Sequence, residues 1–417
     1  MKIRNYITEI LIIFGVSLIL FYSSDPMIYP DTNRYLNGNL HDPPLYSTII
    51  GLMVSIFGTL NSVIILQTLV IGFSITYFVK TVSIQFNLEL IIKFLVTLFL
   101  FIPIIKFYRH LLTEPFSYAF SLLFVSFVIK LIFNFNYQNI IWSSIFVVLL
   151  LLTRNQFLFL YPVILLLYLG IFFIQKSKKK ISWLIISFLS IFLIHNALIN
   201  LNRYISQDSF KKENVSEKSA FFFIYIDAIY ISTSKDAELF ENKNLKKTLN
   251  EVFGEIDRRK ALLKYYNGRG HYGLSLKVIR DYSDPLLKNL ARQENTNIIS
   301  LKKEISIKLI KANFKKYIKH IFKKFYDSAW LFIFLPFFMF LAGLIGILRY
   351  KSSFSLLVIF LSTFTLANHS TVYLFGRVQP RYFIYTDFIL LIFIFITFAV
   401  LIDYKKKNLN IKIDKLR

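Results

Sequence analysis

The chain has 417 residues, is 55% hydrophobic and 18% aromatic, with 49 Lys and Arg against 24 Asp and Glu and no cysteine. Without cysteine there is no disulfide framework, thiolate metal site or cysteine nucleophile. A formal charge of +25 would point to nucleic acid in a soluble protein, but here the basic residues flank long apolar runs. That pattern, with no aromatic-basic RNA-binding motif, marks loop ends and headgroup contacts of a membrane protein and excludes nucleic acid as the partner.

Apolar runs of roughly 18–22 residues recur, the length a helix needs to cross a bilayer. They predict an all-α polytopic membrane protein with about ten spans, at 5–23, 61–80, 89–107, 115–133, 139–153, 156–174, 181–200, 328–348, 354–372 and 383–402. The first follows a basic start without a small-residue cleavage motif in "FYSSDP", so it reads as an uncleaved helix. Segment 44–60 is apolar, short and glycine-bearing, and is expected to dip into the interface as a juxtamembrane helix. The run 140–174 is too long for one span. Thr153-Arg154-Asn155 divides it, because an arginine at mid-membrane depth is costly, and a tight hairpin follows.

Lys2, Arg4, Lys80, the "KSKKK" cluster at 176–180, Arg349, Lys351 and Lys405–Lys407 fall on one side of this arrangement. The positive-inside rule makes that side cytoplasmic, with both termini inside a multi-pass cell (inner or plasma) membrane protein. The expected organisation is an N-terminal transmembrane module (1–200) with an outer first loop (24–60). An extracytoplasmic helical loop domain (201–327), polar and mixed in charge, comes next, then a C-terminal transmembrane module and tail (328–417). The end of the loop domain, 300–327, reads as one basic amphipathic helix carrying Leu301, Ile305, Leu309, Phe314, Ile318, Ile321 and Phe325. It suits an anionic headgroup plane, and equally a lysine-decorated helix packed on the domain.

With this topology the mixed acidic, basic and histidine residues collect on the outer face. They are Asp25, Asp31, Arg34, His41 and Asp42 in the first loop, Arg109, His110 and Glu114 in "FYRHLLTEPFSY", Arg154 in "LTRNQF", and Arg377 and Arg381 in "FGRVQPRYF". Each has a bland reading. Asp31 suits the N-cap of a helix beginning at Thr32, and Glu114 suits the positive end of a helix dipole. Arg154 suits a snorkelling hairpin tip, and His41 and His110 suit ordinary interfacial histidines. Taken together they describe different chemistry. A carboxylate can take a proton from an acceptor. Arginine forks hold a phosphate leaving group, and a basic surface attracts an anionic lipid. There is no HExxH, paired-histidine zinc spacing, Walker lysine or GxSxG.

Several segments, in order, resemble the lipid-linked-sugar glycosyltransferases of the glycosyltransferase-C fold, in the branch of protein O-mannosyltransferases and the lipid A aminoarabinose transferase. "PDTNRYLN" resembles the first-loop acidic motif, and "HDPPLYSTIIGLMVSIFG" the stretch leading into a juxtamembrane helix. "LLTEPFSYAFSLLF" resembles the second acidic motif, "LLLLTRNQFLFLYPVI" the hairpin arginine segment, "IKLIKANFKKYIKHIFKKF" the ectodomain exit and "VQPRYFIYTDFILLI" the closing Arg-Tyr segment. The adjacent acidic pair often found in the family's first loop is not kept, since Thr32 follows Asp31.

The resemblance implies that Asp31 is the catalytic base and Glu114 the second acid of the cavity. Arg34, Arg109, Arg154, Arg377 and Arg381 would serve the donor phosphate, with Tyr35, His41, Asp42, His110 and Tyr382 lining the acceptor site or cavity. It implies a polyprenyl-phosphate-sugar donor, an extracytoplasmic glycan, lipid or protein acceptor, contact with membrane lipids, and no cofactor or metal. A surface-polysaccharide polymerase or ligase and a glycolipid flippase are the alternatives.

Overall fold

The computed structural model describes residues 26–29, 32–36, 42–175, 178–209, 221–263, 272–329, 331–375 and 380–414, together with Gly15. Asp25, Asp31, His41 and Arg377, and the expected first span apart from Gly15, lie outside the described residues. The described chain is helical throughout, and its one β-type contact is an isolated bridge between Met27 and His110. It divides into two compact units. The first comprises Met1–Glu213, Leu335–Asn368 and Pro380–Arg417, and the second Asn214–Phe334 and His369–Gln379.

The first unit begins with α1 (Thr32–Leu36), α2 (Leu45–Phe57), α3 (Asn61–Phe86), α4 (Leu90–Phe107), α5 (Glu114–Phe133) and α6 (Tyr137–Thr153). A 3-10 turn at Asn155–Phe159 leads into α7 (Leu160–Gln175) and α8 (Lys178–Ser209). Gly58 ends α2 in the left-handed conformation, φ 70°, and returns its N–H to the Val54 carbonyl, a stop that glycine makes without strain. Pro115 and Glu114 open α5, where a missing N–H and a negative charge both suit a helix N-terminus.

Helix α5 is the centre of this unit, packed against α3 and α6, with α4 and the C-terminal helix Ile384–Asp414 also touching it. In its apolar window 89% of residues are buried, against 22% for α8, so α5 is enclosed by protein while α8 presents apolar residues outward. Ile185, Ile186, Leu189, Phe192 and Leu193 are all exposed on α8. A helix apolar all round and left uncovered is stable only in hydrocarbon. Among the described residues five helices are long and apolar enough to cross a membrane, spanning Asn61–Phe86, Glu114–Phe133, Asn155–Gln175, Lys180–Asn202 and Ser353–Leu374. Shorter apolar helices, including Leu45–Phe57, Tyr137–Thr153 and Ile384–Ala399, accompany them. The chain is therefore an all-α, membrane-embedded protein.

The second unit holds α9 (Phe221–Ile231), a 3-10 turn (Ser234–Leu239), α10 (Lys243–Arg258), α11 (Tyr272–Gln293), α12 (Ile298–Ala312) and α13 (Phe314–Ala329). Leu245, Leu249, Val252, Phe253 and Ile256 line one face of α10, and Leu301, Ile305 and Leu309 one face of α12. Both repeats follow the 3.6-residue turn and close on α9 and α11. Asn242 and Asn297 cap α10 and α12 by accepting backbone N–H groups two or three residues on. The fold departs from the sequence expectation in two places. The stretch 221–231 is an apolar core helix inside a region read as polar; at eleven residues it is too short to span and is buried by protein instead. Segment 300–327 is two helices separated at Asn313, with the apolar seam of α12 in the domain core and not on a membrane.

Helix α9 carries Asp227, fully buried. His320 Nε2 lies 3.1 Å from one of its carboxylate oxygens and Lys324 Nζ 2.9 Å from the other. These bonds fix α13 on the unit, with Tyr230 5.1 Å from the His320 ring. The remaining helices are α14 (Leu331–Tyr350), α15 (Ser353–Phe375) and α16 (Ile384–Asp414), preceded by a 3-10 turn at Pro380–Tyr382. Helices α14 and α15 approach closely in the first unit: a Cβ on Gly343 would meet Ile359 Cγ1 at 2.8 Å and the Ser355 carbonyl at 3.1 Å. Small residues of this kind let helix backbones draw together in a membrane.

Replacing Asp227 by Ala leaves a lysine and a histidine buried without their acid, a loss of about 3–5 kcal/mol. The segment 221–329 should then become protease-sensitive in the intact protein, with Asp227→Asn intermediate. Burial, helped by the Asp227 charge, pushes the Tyr317 hydroxyl from 10 up to about 12. The stability its neutral form contributes is complete below pH 10 and is lost as pH rises through about 12, because the unfolded state releases the proton first. Tyr317→Phe should flatten that part of the protease-resistance profile relative to wild type.

Candidate functional site

The first loop and the α4–α5 connection are stitched together by backbone. Met27 N donates to the Arg109 carbonyl at 2.9 Å, and Leu111 N donates to the Met27 carbonyl at 3.3 Å. The Tyr29 hydroxyl is in hydrogen-bond contact with His110 Nε2 at 3.1 Å, their rings 4.6 Å apart. Thr32 is fully buried: its hydroxyl donates to the Leu111 carbonyl at 3.0 Å and accepts the Tyr29 N–H at 2.9 Å. The short helix α1 is described from Thr32. Gln67, buried in α3, donates from Nε2 to the carbonyls of Tyr108 and His110, supporting the same connection from below.

Helix α1 is held by its aromatic side. Tyr35 meets Tyr46 of α2 edge-on at 5.1 Å, and Tyr46 meets Phe116 of α5 at 5.9 Å. Arg34 and Asp42 form an ion pair across the loop. Burial pushes the Tyr35 hydroxyl up to about 12, with Arg154 and Arg34 opposing the shift and Glu114 and Asp42 adding to it. Tyr35 is thus a neutral hydrogen-bonding hydroxyl, not a base.

The centre of the site is Glu114, 4% exposed at the first turn of α5. Arg154 Nη1 lies 2.9 Å from Glu114 Oε1, and Arg381 Nε approaches the same oxygen at 3.4 Å. Both guanidinium groups lie over the Tyr382 ring, 4.7 and 5.1 Å from its centre, and Arg381 Nη2 donates to the Tyr382 hydroxyl at 3.2 Å. Arg154 occupies the extended residue (φ −154°, ψ 135°) between α6 and the 3-10 turn. Its helix therefore stops at Thr153, and its side chain is delivered to Glu114 rather than to lipid.

The turn Pro380–Tyr382 is fixed from behind. The Tyr382 carbonyl accepts from Gln156 Nε2 at 2.9 Å and from Asn368 Nδ2 at 3.0 Å. Gln156 also donates to Asn368 Oδ1, and Asn368 Nδ2 donates to Thr386 Oγ1 at 3.0 Å, whose own hydroxyl reaches Asp387 at 3.2 Å. Gln156, Asn368, Thr386 and Asp387 were not singled out in the sequence. The signal was present in the form of polar residues inside apolar runs, which are expensive there unless they have partners.

Beside Glu114 a small cleft is lined by Ile71, Pro103, Phe107, Tyr108, Pro115, Tyr118, Ile384 and Tyr385. It is apolar except at the Glu114 and tyrosine end. The Tyr385 hydroxyl is buried and has no hydrogen-bond partner among the described residues, as is the Tyr46 hydroxyl. Tyr118, on the same wall, donates instead to the Leu100 carbonyl at 2.9 Å.

Of the residues expected at the site, the structure brings Glu114, Arg154, Arg381 and Tyr382 into direct contact, with Tyr35 electrostatically coupled to them and Arg34 paired with Asp42 nearby in the loop. His110 serves the loop through Tyr29, and Arg109 contributes its backbone carbonyl to Met27. Asp31, His41 and Arg377 lie outside the described residues. No three His, Cys, Asp or Glu side chains gather as a metal-binding group among the described residues. No protein-family model matches the chain, and neither a curated protein nor a solved structure is significantly similar to it. Fold and site define a membrane-embedded all-α protein in which a buried acid, paired with two arginines, lines an apolar cleft.

Replacing Glu114 by Ala leaves Arg154 buried without its acid. Thermal unfolding in detergent should show a loss of about 3–5 kcal/mol. The double variant Glu114→Gln, Arg154→Met should lose clearly less than the sum of its parts, because the interaction removed is shared.

Proposed function

We propose that the protein is a membrane glycosyltransferase of the glycosyltransferase-C kind, moving a sugar from a polyprenyl-phosphate carrier to an extracytoplasmic glycan, lipid or protein acceptor. One observation carries the reading: Glu114 is bound by Arg154 and Arg381 at the polar end of an apolar cleft. An isoprenoid phosphate has the same division, an apolar chain ending in an anion. Guanidinium groups are the side chains best shaped to hold that anion through paired hydrogen bonds. The buried, unpartnered Tyr385 hydroxyl adds a donor on the cleft wall.

This geometry refines the role of Glu114. Its carboxylate is paired with two guanidinium groups, Arg154 at 2.9 Å and Arg381 at 3.4 Å. In the proposed mechanism it positions Arg154 and Arg381, with Tyr382 setting the plane of both. Asp31 is the base: it takes the proton of the acceptor hydroxyl as that oxygen attacks the anomeric carbon. The bond from the anomeric carbon to the phosphate oxygen breaks, and the electron pair leaves on the polyprenyl phosphate. The two arginines stabilise the charge that develops there. Attack opposite the leaving group inverts the anomeric centre. With both termini cytoplasmic, the site faces outward.

Transfer of radiolabelled sugar from synthetic polyprenyl-phosphate-sugars into membrane acceptors tests this. Wild type should incorporate label, and Asp31→Asn, folded and inserted, should lose at least about 10²-fold in rate, the scale of general-base catalysis. Equal incorporation by both would remove Asp31 as base. Activity only with pyrophosphate-linked oligosaccharide donors would replace this reading with a polymerase or ligase.

A further inference from the structure

Helix α13 has three faces, and only one is satisfied within the second unit. His320, Ile321 and Lys324 are buried, with the first and last bound to Asp227. A second face carries Phe314, Ile318, Phe322 and Tyr326, four residues apart and 58%, 38%, 71% and 64% exposed. At 1.5 Å per residue that stripe is about 18 Å long. Beside it, on the third face, lie Lys315, Lys316, Lys319 and Lys323. The Asp227 bonds fix the helix's rotation, so these faces are set by the fold.

From this we infer that α13 is a docking surface for the anionic phospholipid surface of the bilayer, with Phe314, Ile318, Phe322 and Tyr326 entering the acyl boundary and the adjoining lysines meeting lipid phosphates. Large apolar groups in an unbroken exposed row are costly in water. A neighbouring row of four lysines complements an anionic headgroup layer. The chain itself brings the surface close. One residue, Trp330, separates α13 from the apolar helix Leu331–Tyr350, so the membrane is the occupant held at highest local concentration. The inference separates the two halves of a stretch that looks uniform in sequence. Leu301, Ile305 and Leu309 are core, and the face of Phe314, Ile318, Phe322 and Tyr326 is left for lipid. It does not depend on the proposed function.

The natural chain has no cysteine, so single labels are placed cleanly. Full-length Phe322→Cys carrying a nitroxide would be reconstituted in nanodiscs of phosphatidylcholine with or without phosphatidylglycerol. Glu251→Cys, on an exposed position of α10, is the aqueous reference. In phosphatidylglycerol discs the ratio of oxygen to nickel-chelate accessibility at 322 should exceed that at 251 by about fivefold or more, as for a side chain a few ångströms below the headgroups. It should fall toward the reference in pure phosphatidylcholine and in Lys315→Gln, Lys316→Gln, Lys319→Gln, Lys323→Gln protein. Ile318→Cys should reproduce the pattern, guarding against an effect of losing Phe322. Free access of the nickel chelate to 322 in phosphatidylglycerol discs overturns the inference. Dipolar broadening between labels also overturns it, by making a second copy the occupant, as does equal immersion in both lipids, which removes the anionic requirement.

Discussion

The first unit depends on keeping one charge, that of Glu114, inside protein at the start of its most enclosed helix. A carboxylate in that position is tolerable only with positive partners in hydrogen-bond range. The partners come from two remote places, the α6 exit (Arg154) and the turn before α16 (Arg381). Their recruitment explains much of the surrounding structure. Helix α6 stops at Thr153 so that Arg154 turns inward. The Tyr382 carbonyl is pinned by Gln156 and Asn368, so the turn bearing Arg381 keeps its place. Hydrogen-bonded polar groups inside an apolar bundle specify one arrangement of helices where greasy surfaces alone would allow several.

The second unit solves the same problem on a smaller scale. Asp227 lies in the middle of an apolar helix, and both its carboxylate oxygens are taken by α13. Apolar faces of α10 and α12 supply the mass of the core. The acid sets the angle at which α13 lies against it, and so decides which aromatic side chains face outward. In each unit a buried acid chooses the geometry; in the second, apolar burial supplies most of the driving force.

The membrane helices were largely legible in the sequence, and α3 to α7 begin within a few residues of the expected places. The division at Arg154 was legible for a definite reason, since a guanidinium in mid-membrane has few alternatives to a helix break or a partner. Less was visible in the loop domain. The run "FFFIYIDAIYI" lay within a stretch read by its average polarity, which conceals a short core helix. The break at Asn313 also left a trace. The apolar repeat runs 301, 305, 309 and then steps five residues to 314, and a continuous helix would have turned that side chain off the seam. Gln156, Asn368 and Thr386 could have been flagged as polar residues in apolar segments, but nothing local to them named their partners.

By itself, then, the sequence determined the class of protein: all-α, membrane-embedded, with its apolar helices in the observed order. Hydrophobic length and the placement of lysines are properties of short stretches of chain meeting a solvent, and short stretches suffice to read them. The tertiary structure decided which charges meet. That Arg154 and Arg381 share Glu114, that Tyr382 lies under both, and that one face of α13 is spent on Asp227 while another is left exposed all depend on how each helix is rotated about its axis. Rotation is set by packing against neighbours far away in the chain, and a helix's own residues leave it undetermined.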